Sequence, residues 1–566
     1  MLSTTPLRTI LIGLATLIFS LPVSAQTSVL TYHNDNSRTG QNLGETILTP
    51  SNVSTNFGKL FINSVDDWVI AQPLYVPGVN IGGGTHNVLY VATLNNTVYA
   101  MDADTPATIY WQQNYGAPTP FAGICTDTKF QNAAHAGAGI VSTPVIDANL
   151  GNIYFVTKTG NGTTGNPYAL TFYAVNISTG TTVASTTINP GTSDWNPHIQ
   201  MSRPALAEDP TGSYIYVGLG ATGCQNYKYE HGFVMAFSST SGAYDGKFAT
   251  TVGTSNNGGI WQGGGGLNVD ATGNIYFETA DAAYNGKTSF GDTVLKINTG
   301  ANGLGLLDWF TPYNQSTLLK YDLDMSSSGP LLLPDQTVGP THLLVATGKT
   351  EEIYLINRDN MGKFNVGSNS NIVQDIPTRS SQTGCLTATI GSSTGSTCRN
   401  GSPAFFSNGT NSYVYMIDDG NSTPASLSFP CDVLQYTLTN GLLSTSPAAE
   451  ATFGTNCLVG SPSISANGSS NAIVWVVVSK GTATALHALD PVTLSSLYNS
   501  QQHQTRDALG NVARFVTPTV SNGKVYVGGK TNNGGDIVVY GLLSTKAAAQ
   551  PTGITAGQNQ NHKSGM

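Results

Sequence analysis

Two carboxylate pairs, Asp102-Ala-Asp104 and Asp322-Leu-Asp324, carry the hard oxygen donors that a Ca²⁺ ion takes. Neither lies in the loop of an EF-hand, so turn capping is the expected role and no metal site is assigned. Gly348-Lys349-Thr350 ends like a phosphate-binding loop. Leu343 stands where its leading glycine belongs, and strand text follows instead of a helix. Gly263-Gly264-Gly265-Gly266 also runs into strand text and reads as close packing near an axis. His135 and His198 have no second His or Cys at ligand spacing and read as loop hydrogen-bonders. There is no Gly-x-Ser-x-Gly elbow to expose a serine nucleophile. The six cysteines, at 125, 224, 385, 398, 431 and 457, include no CxxC and no CxxCH. Structural zinc and covalent haem therefore have no support.

The elements that position these residues follow from composition. Of 566 residues, 64 are Gly and 25 Tyr, and only 10% are charged. Long solvated helices need Glu, Lys and Arg on their faces, so a mainly helical protein is excluded. A net charge of -9 excludes a nucleic-acid binder that works through phosphate contacts. The N-terminus has one basic residue, Arg8, then an apolar run Ile10–Phe19 and small residues up to Ala25. This is the pattern of a secretory signal cleaved after Ala25, predicting export to the periplasm or the medium. No later run is long and apolar enough to span a membrane.

One unit recurs eight times. A small or polar residue, usually followed by Pro, opens a short apolar strand. A turn and an aromatic-rich strand follow, then a third apolar strand and a weaker fourth. The units open at Gln72-Pro73, Thr143-Pro144, Arg203-Pro204, Gly265-Gly266, Gly329-Pro330, Ser402-Pro403, Ser461-Pro462 and Thr517-Pro518. The prediction is all-β: an eight-bladed β-propeller of four-stranded antiparallel blades over residues 26–544. The eighth unit has three strands, and Lys59-Leu-Phe-Ile-Asn63 is left over to close the ring as its outer strand. Residues 545–566 read as a disordered polar tail.

The text Tyr99-Ala-Met-Asp-Ala-Asp104 with Trp111 resembles the repeat of the pyrroloquinoline-quinone-like propeller superfamily. Longer stretches are similar to its exported bacterial branch, among them Tyr32–Gln41, His198–Ala205, Gly259–Gly263 and Asn357–Gly362. In the dehydrogenases of that superfamily the quinone (PQQ) sits in the central funnel. It lies between a Trp floor and a disulfide of adjacent cysteines, beside Ca²⁺ and a catalytic Asp. The resemblance therefore implies PQQ with Ca²⁺ as cofactors. This chain has no adjacent cysteines, and no motif carries the Ca²⁺ ligands or the catalytic Asp onto its residues. No catalytic residue is assigned.

In an antiparallel blade the links between blades and the links from second to third strand share one face. All six cysteines fall on it. Their placement favours Cys385–Cys398 and Cys431–Cys457, leaving Cys125–Cys224, out of 15 pairings. Much of the scarce charge falls there too. Lys158, Lys349, Lys480 and Lys530 follow second strands, and Asp281 does so in the fourth blade. Arg203 precedes an inner-strand proline, while Arg514, Asp322 and Asp324 lie just ahead of inner strands and Gln72 opens the first. These residues predict a polar central funnel for a small molecule, a glycan or a protein partner in a monomeric binding or scaffold protein. Mutual pairing across blades is the competing reading of the same charges. A quinone-dependent dehydrogenase of alcohols or sugars is the alternative function, and a polysaccharide hydrolase or lyase a third.

Overall fold

Proline sets where the inner strand begins in every blade but the fourth, because it cannot donate to a ladder and is tolerated at a strand's start. Pro144 precedes the strand Val145–Asp147, Pro330 precedes Leu331–Leu332, and Pro518 precedes Thr519–Ser521. The computed structural model describes residues 26–544, apart from 122–136, 192–194, 222–230, 254–256, 301–302, 378–400, 419–429, 456 and 482. The signal segment, the C-terminal tail and Cys125, Cys224, Cys385 and Cys398 thus lie outside the described residues.

Eight separate sheets form the eight blades of a β-propeller. The second blade shows why each unit has its composition. Val145–Asp147 is buried throughout, and Asn152–Thr159 is buried except at its last residue. Ala169–Asn176 is mixed, and the outer strand Thr182–Thr187 has no buried residue. Apolar and aromatic residues therefore concentrate in the middle strands, where blades pack face to face. Asx turns join the strands: Asp147 Oδ1 accepts the amides of Asn149 and Leu150, and Asp490 Oδ1 those of Val492 and Thr493. Asp102 does the same for Asp104 and Thr105.

The ring closes as the sequence predicts. Phe57–Val65 pairs antiparallel with Gly534–Leu542, Phe57 opposite Leu542, and completes the eighth blade from the other end of the chain.

A tyrosine in the second strand of five of the blades has a specific task. Tyr90 Oη donates to the carbonyl of Ile177 in the next blade, and Tyr154 Oη to that of Ser239. Tyr415 Oη reaches Pro491 O, and Tyr526 Oη reaches Ala103 O across the closure joint. Tyr216 Oη meets Thr299 Oγ1 in the same way. Each bond ties a blade to its successor.

One feature of the fold was not foreseen. Residues 29–42 wind around the axis and bond the inner strands of all eight blades in order. Val29 pairs with Tyr75, and the carbonyl of Leu30 accepts Ile146 N–H. Thr31 Oγ1 donates to Leu206 O. The carbonyls of Asn36, Ser37, Thr39 and Gly40 accept from Val269, Leu332, Phe405 and Ile464. Asn42 Nδ2 donates to Val520 O, and Gln41–Asn42 runs parallel to the inner strand Ser463–Asn467. This segment covers the inner edges that a propeller otherwise leaves facing its channel. Arg38 anchors it and is only 1% exposed. Its guanidinium donates to Leu267 O, Leu206 O, Tyr32 O, Asp35 O and Thr31 Oγ1.

Candidate ligand site at the cysteine-side mouth

The structure gathers four of the sequence candidates into one cluster between the fourth and fifth blades. Asp281 follows the second strand Asn274–Glu278 of blade four. The helix Gln315–Tyr321 stops at Asp322, which takes a left-handed φ of 55°. Asp324 precedes the short helix Met325–Ser327, and Lys349 follows the strand Leu343–Thr347. Carboxylate oxygens of Asp281, Asp322 and Asp324 all lie within 4.8 Å of one another.

Lys349 Nζ stands 2.8 Å from Asp322 Oδ1 and 2.5 Å from Asp324 Oδ2. The Asp281 amide donates to Asp324 Oδ1 at 3.0 Å. Burial works against the charge of Asp324, but Lys349 and these bonds outweigh it and hold its pKa below the usual range. Burial, and then repulsion from Asp324 and Asp322, pushes Asp281 up to about 7. Burial and then Asp324 raise Asp322 as well. Behind them Asp292 is fully buried, and burial with repulsion from Asp324 and Asp281 drives its pKa well up. Gln315 Nε2 reaches its Oδ2, while its Oδ1 has no hydrogen-bond partner. One ammonium thus faces more carboxylates than it can neutralise. The cluster remains open to solvent, because the Asp322 side chain is 57% exposed. Clustered carboxylate oxygens of this kind suit a hard divalent cation.

The remaining candidates separate from this cluster. Lys158 does not line a funnel: it is 2% exposed and donates to the carbonyls of Pro197, His198 and Gln200 at 2.7–2.8 Å. Gln72 is also turned to the interior, where Oε1 accepts the His33 amide of the axial segment. Lys530 lies over the Trp68 ring, 4.6 Å from its centroid. Lys480 and Arg514 are exposed. Arg203 sits at the axis, partly exposed, and donates to Gly263 O at 3.1 Å. Of the cysteine pairs, Cys431–Cys457 is a disulfide with a Cα separation of 6.0 Å.

Sequence reasoning missed Trp261 and Asp292. Trp261 packs on Gly220 of blade three, where an added Cβ would meet its ring at 2.9 Å. Two residues earlier, Gly259 O accepts the Ala280 amide next to Asp281. The text Gly259–Gly263 drew notice for its resemblance, but its place beside the carboxylates depends on the fold.

No protein-family model and no curated protein matches the sequence. Solved structures do match. A quinohemoprotein alcohol dehydrogenase from Pseudomonas putida HK5 aligns at a TM-score of 0.62 and 13% identity, over 94% of this chain and 82% of its own. The quinohemoprotein alcohol dehydrogenase from Comamonas testosteroni gives 0.59 and 12%, over 94% and 83%. A europium-containing methanol dehydrogenase gives 0.58 and 14%, over 91% and 98%. At this identity the likeness is one of fold, and the fold of this chain is that of the quinoprotein dehydrogenase propellers.

Proposed function

We propose that the protein is an exported binding propeller whose cysteine-side mouth takes a small polar ligand together with a divalent cation. The Asp281, Asp322 and Asp324 carboxylates, three acids against one lysine, carry this reading. Without a cation their repulsion is relieved by protonating Asp281; with one, all three ionise and become ligands. The Cys431–Cys457 disulfide supports export, since such bonds persist in oxidising compartments. The test is calorimetric titration of the mature protein with Ca²⁺. Saturable binding that releases a proton near pH 7 and strengthens from pH 6 to pH 8 is expected, with loss in Asp324→Asn. Absence of saturable binding of Ca²⁺ or a trivalent lanthanide would remove the reading.

A quinone-dependent dehydrogenase is the second reading, favoured by the segment Gly259–Gly263, which carries Trp261 and whose Gly259 O accepts the Ala280 amide next to Asp281. The cluster fits the Ca²⁺ that a quinone requires. The disulfide of adjacent cysteines does not fit, because no two cysteines are neighbours in the chain. A bound quinone would supply a two-electron acceptor for alcohol oxidation. Added quinone that binds stoichiometrically and supports dye-linked alcohol oxidation would favour this reading over binding alone.

A further inference from the structure

The face opposite the cysteines carries the turns from first to second and from third to fourth strand. A cleft of about 520 Å³ opens there between blades two and three. It lies over the joint where Tyr154 Oη bonds Ser239 O, and Ser239 is part of its wall. Asp147 enters it from the end of the inner strand Val145–Asp147, and the turn Thr211–Tyr214 borders it from blade three. Asp245, from the outer strand Tyr244–Ala249, also lines it. No described Lys, Arg or His does.

Two carboxylates from neighbouring blades converge beside Gly212. A Cβ there would lie 3.4 Å from Glu208 Oε1 and 3.8 Å from Asp147 Oδ2. Gly212 lines the cleft in a left-handed turn, with φ of 71°, and leaves the approach to both oxygens free of a side chain. Asp147 is only 3% exposed. Its Oδ1 is spent on the amides of Asn149 and Leu150, which leaves Oδ2 toward Glu208. Asp209, next along the chain, is spent on its own turn, accepting from the amides of Thr211, Ser213 and Tyr214. Glu208 differs. The charged groups that act on it are Asp147 and Asp209, both negative, and burial followed by Asp147 pushes its pKa up to about 8. Two acids that must share a proton are a pair short of one positive charge.

The lining selects the kind of cation. The cleft is far larger than a bare metal ion, and Thr211, Ser213, Ser238 and Thr240 make up much of its wall in place of further carboxylates. Tyr214 and Leu150, the latter 41% exposed, add apolar surface. An ammonium on a short alkyl chain matches each part: charge for the acids, N–H donors for hydroxyl oxygens, methylenes for the apolar rim.

We infer that the cleft between blades two and three binds a small primary amine as its ammonium ion, with Glu208 and Asp147 as paired counter-ions. Asp245 adds negative charge at the exposed rim. This site lies on the other face from the Asp281 mouth and does not depend on it.

The probes are butylamine and butane-1,4-diamine, with butan-1-ol as the neutral control. They are titrated calorimetrically into the mature protein at ionic strength held constant with sodium chloride. At least one amine should bind saturably, and butan-1-ol should not. Alkyl ammonium ions, like that of lysine, keep their proton up to about pH 10. A change of affinity between pH 6 and pH 8 therefore belongs to the protein. Affinity should rise across that window with release of a proton, because the bound ammonium ionises Glu208. Glu208→Gln keeps the shape and removes the charge. It should weaken binding roughly ten-fold or more and flatten the pH dependence. Thr240→Lys, at an exposed residue of the wall, brings an ammonium of the chain's own into the cleft and should block binding. It carries the comparison if Glu208→Gln does not fold. No saturable binding of either amine, equal binding of butan-1-ol, or unchanged affinity in the folded variants overturns the inference. Ca²⁺ is titrated into Asp324→Asn, where the mouth is disabled. Saturable Ca²⁺ binding there that Glu208→Gln abolishes would make the cleft a metal site and overturns the inference as well.

Discussion

Lys158 shows at the residue scale how a charge near a ligand face can be spent on the protein itself. Its ammonium holds three carbonyls of the segment 197–200, and burial pushes its pKa down to about 7. The folded pKa is thus below the ordinary 10.5 of an unfolded chain. Between pH 7 and 10.5 the unfolded state binds more protons, so this group makes stability rise with pH in that window. Lys158→Met should erase that slope relative to the wild type. Denaturant unfolding of both proteins at pH 7 and pH 9.5 measures it, and parallel pH profiles would refute the assignment. In the sequence Lys158 and Lys349 look alike, each following a second strand. What separates them is the residue across the blade boundary, a set of carbonyls for one and two aspartates for the other. That information lies dozens of residues away and has no local signature.

At the scale of elements the repeat was legible because each strand's environment imposes its composition. Pre-proline positions mark the inner strands, and alternation weakens toward the outer ones. The closing strand was legible by counting, since one blade lacked a strand and one strand lacked a blade. The inter-blade tyrosines were visible as a recurring Ile-Tyr or Val-Tyr pattern but not as bonds, because their partners lie in the following blade. The joint between blades eight and one is the most telling, as it is where the chain's two ends meet. Tyr526 is fully buried and bonds Ala103 O there at 3.1 Å. Tyr526→Phe keeps the ring and removes the bond, leaving a buried carbonyl without that donor. A loss of about 1 kcal/mol is expected, measured by urea unfolding. Tyr313→Phe is the control, at a tyrosine 43% exposed. Equal effects of the two substitutions would mean that the joint does not depend on this bond.

At the scale of the whole molecule the N-terminal segment is what turns eight blades into one ring with a filled centre. Residues 32–41 were notable in the sequence only for their resemblance to other chains. They are polar, lack strand alternation, and include left-handed residues at His33, Asn34 and Arg38, with φ of 53°, 71° and 60°. No periodicity could reveal them, because they form no sheet of their own and follow the ring's curvature. Their energetic weight is nonetheless large. One bond to each of eight blades, at about 1 kcal/mol apiece, approaches the net stability of an ordinary domain, about 5–15 kcal/mol. Buried Arg38 adds to this, since removing the segment strips its ligands from Leu206 and Leu267. A chain lacking residues 27–45 but keeping the closing strand Phe57–Val65 separates axial filling from ring closure. It should melt well below the parent, or fail to accumulate in soluble form, although every blade retains its full set of strands. A second variant, Arg38→Met in the full chain, tests the same idea where the deletion yields no protein, and should lower the melting temperature by several degrees. A deletion variant that melts with the parent would show that closure by the outer strand alone holds the ring, and that the axial segment is a passenger in its channel.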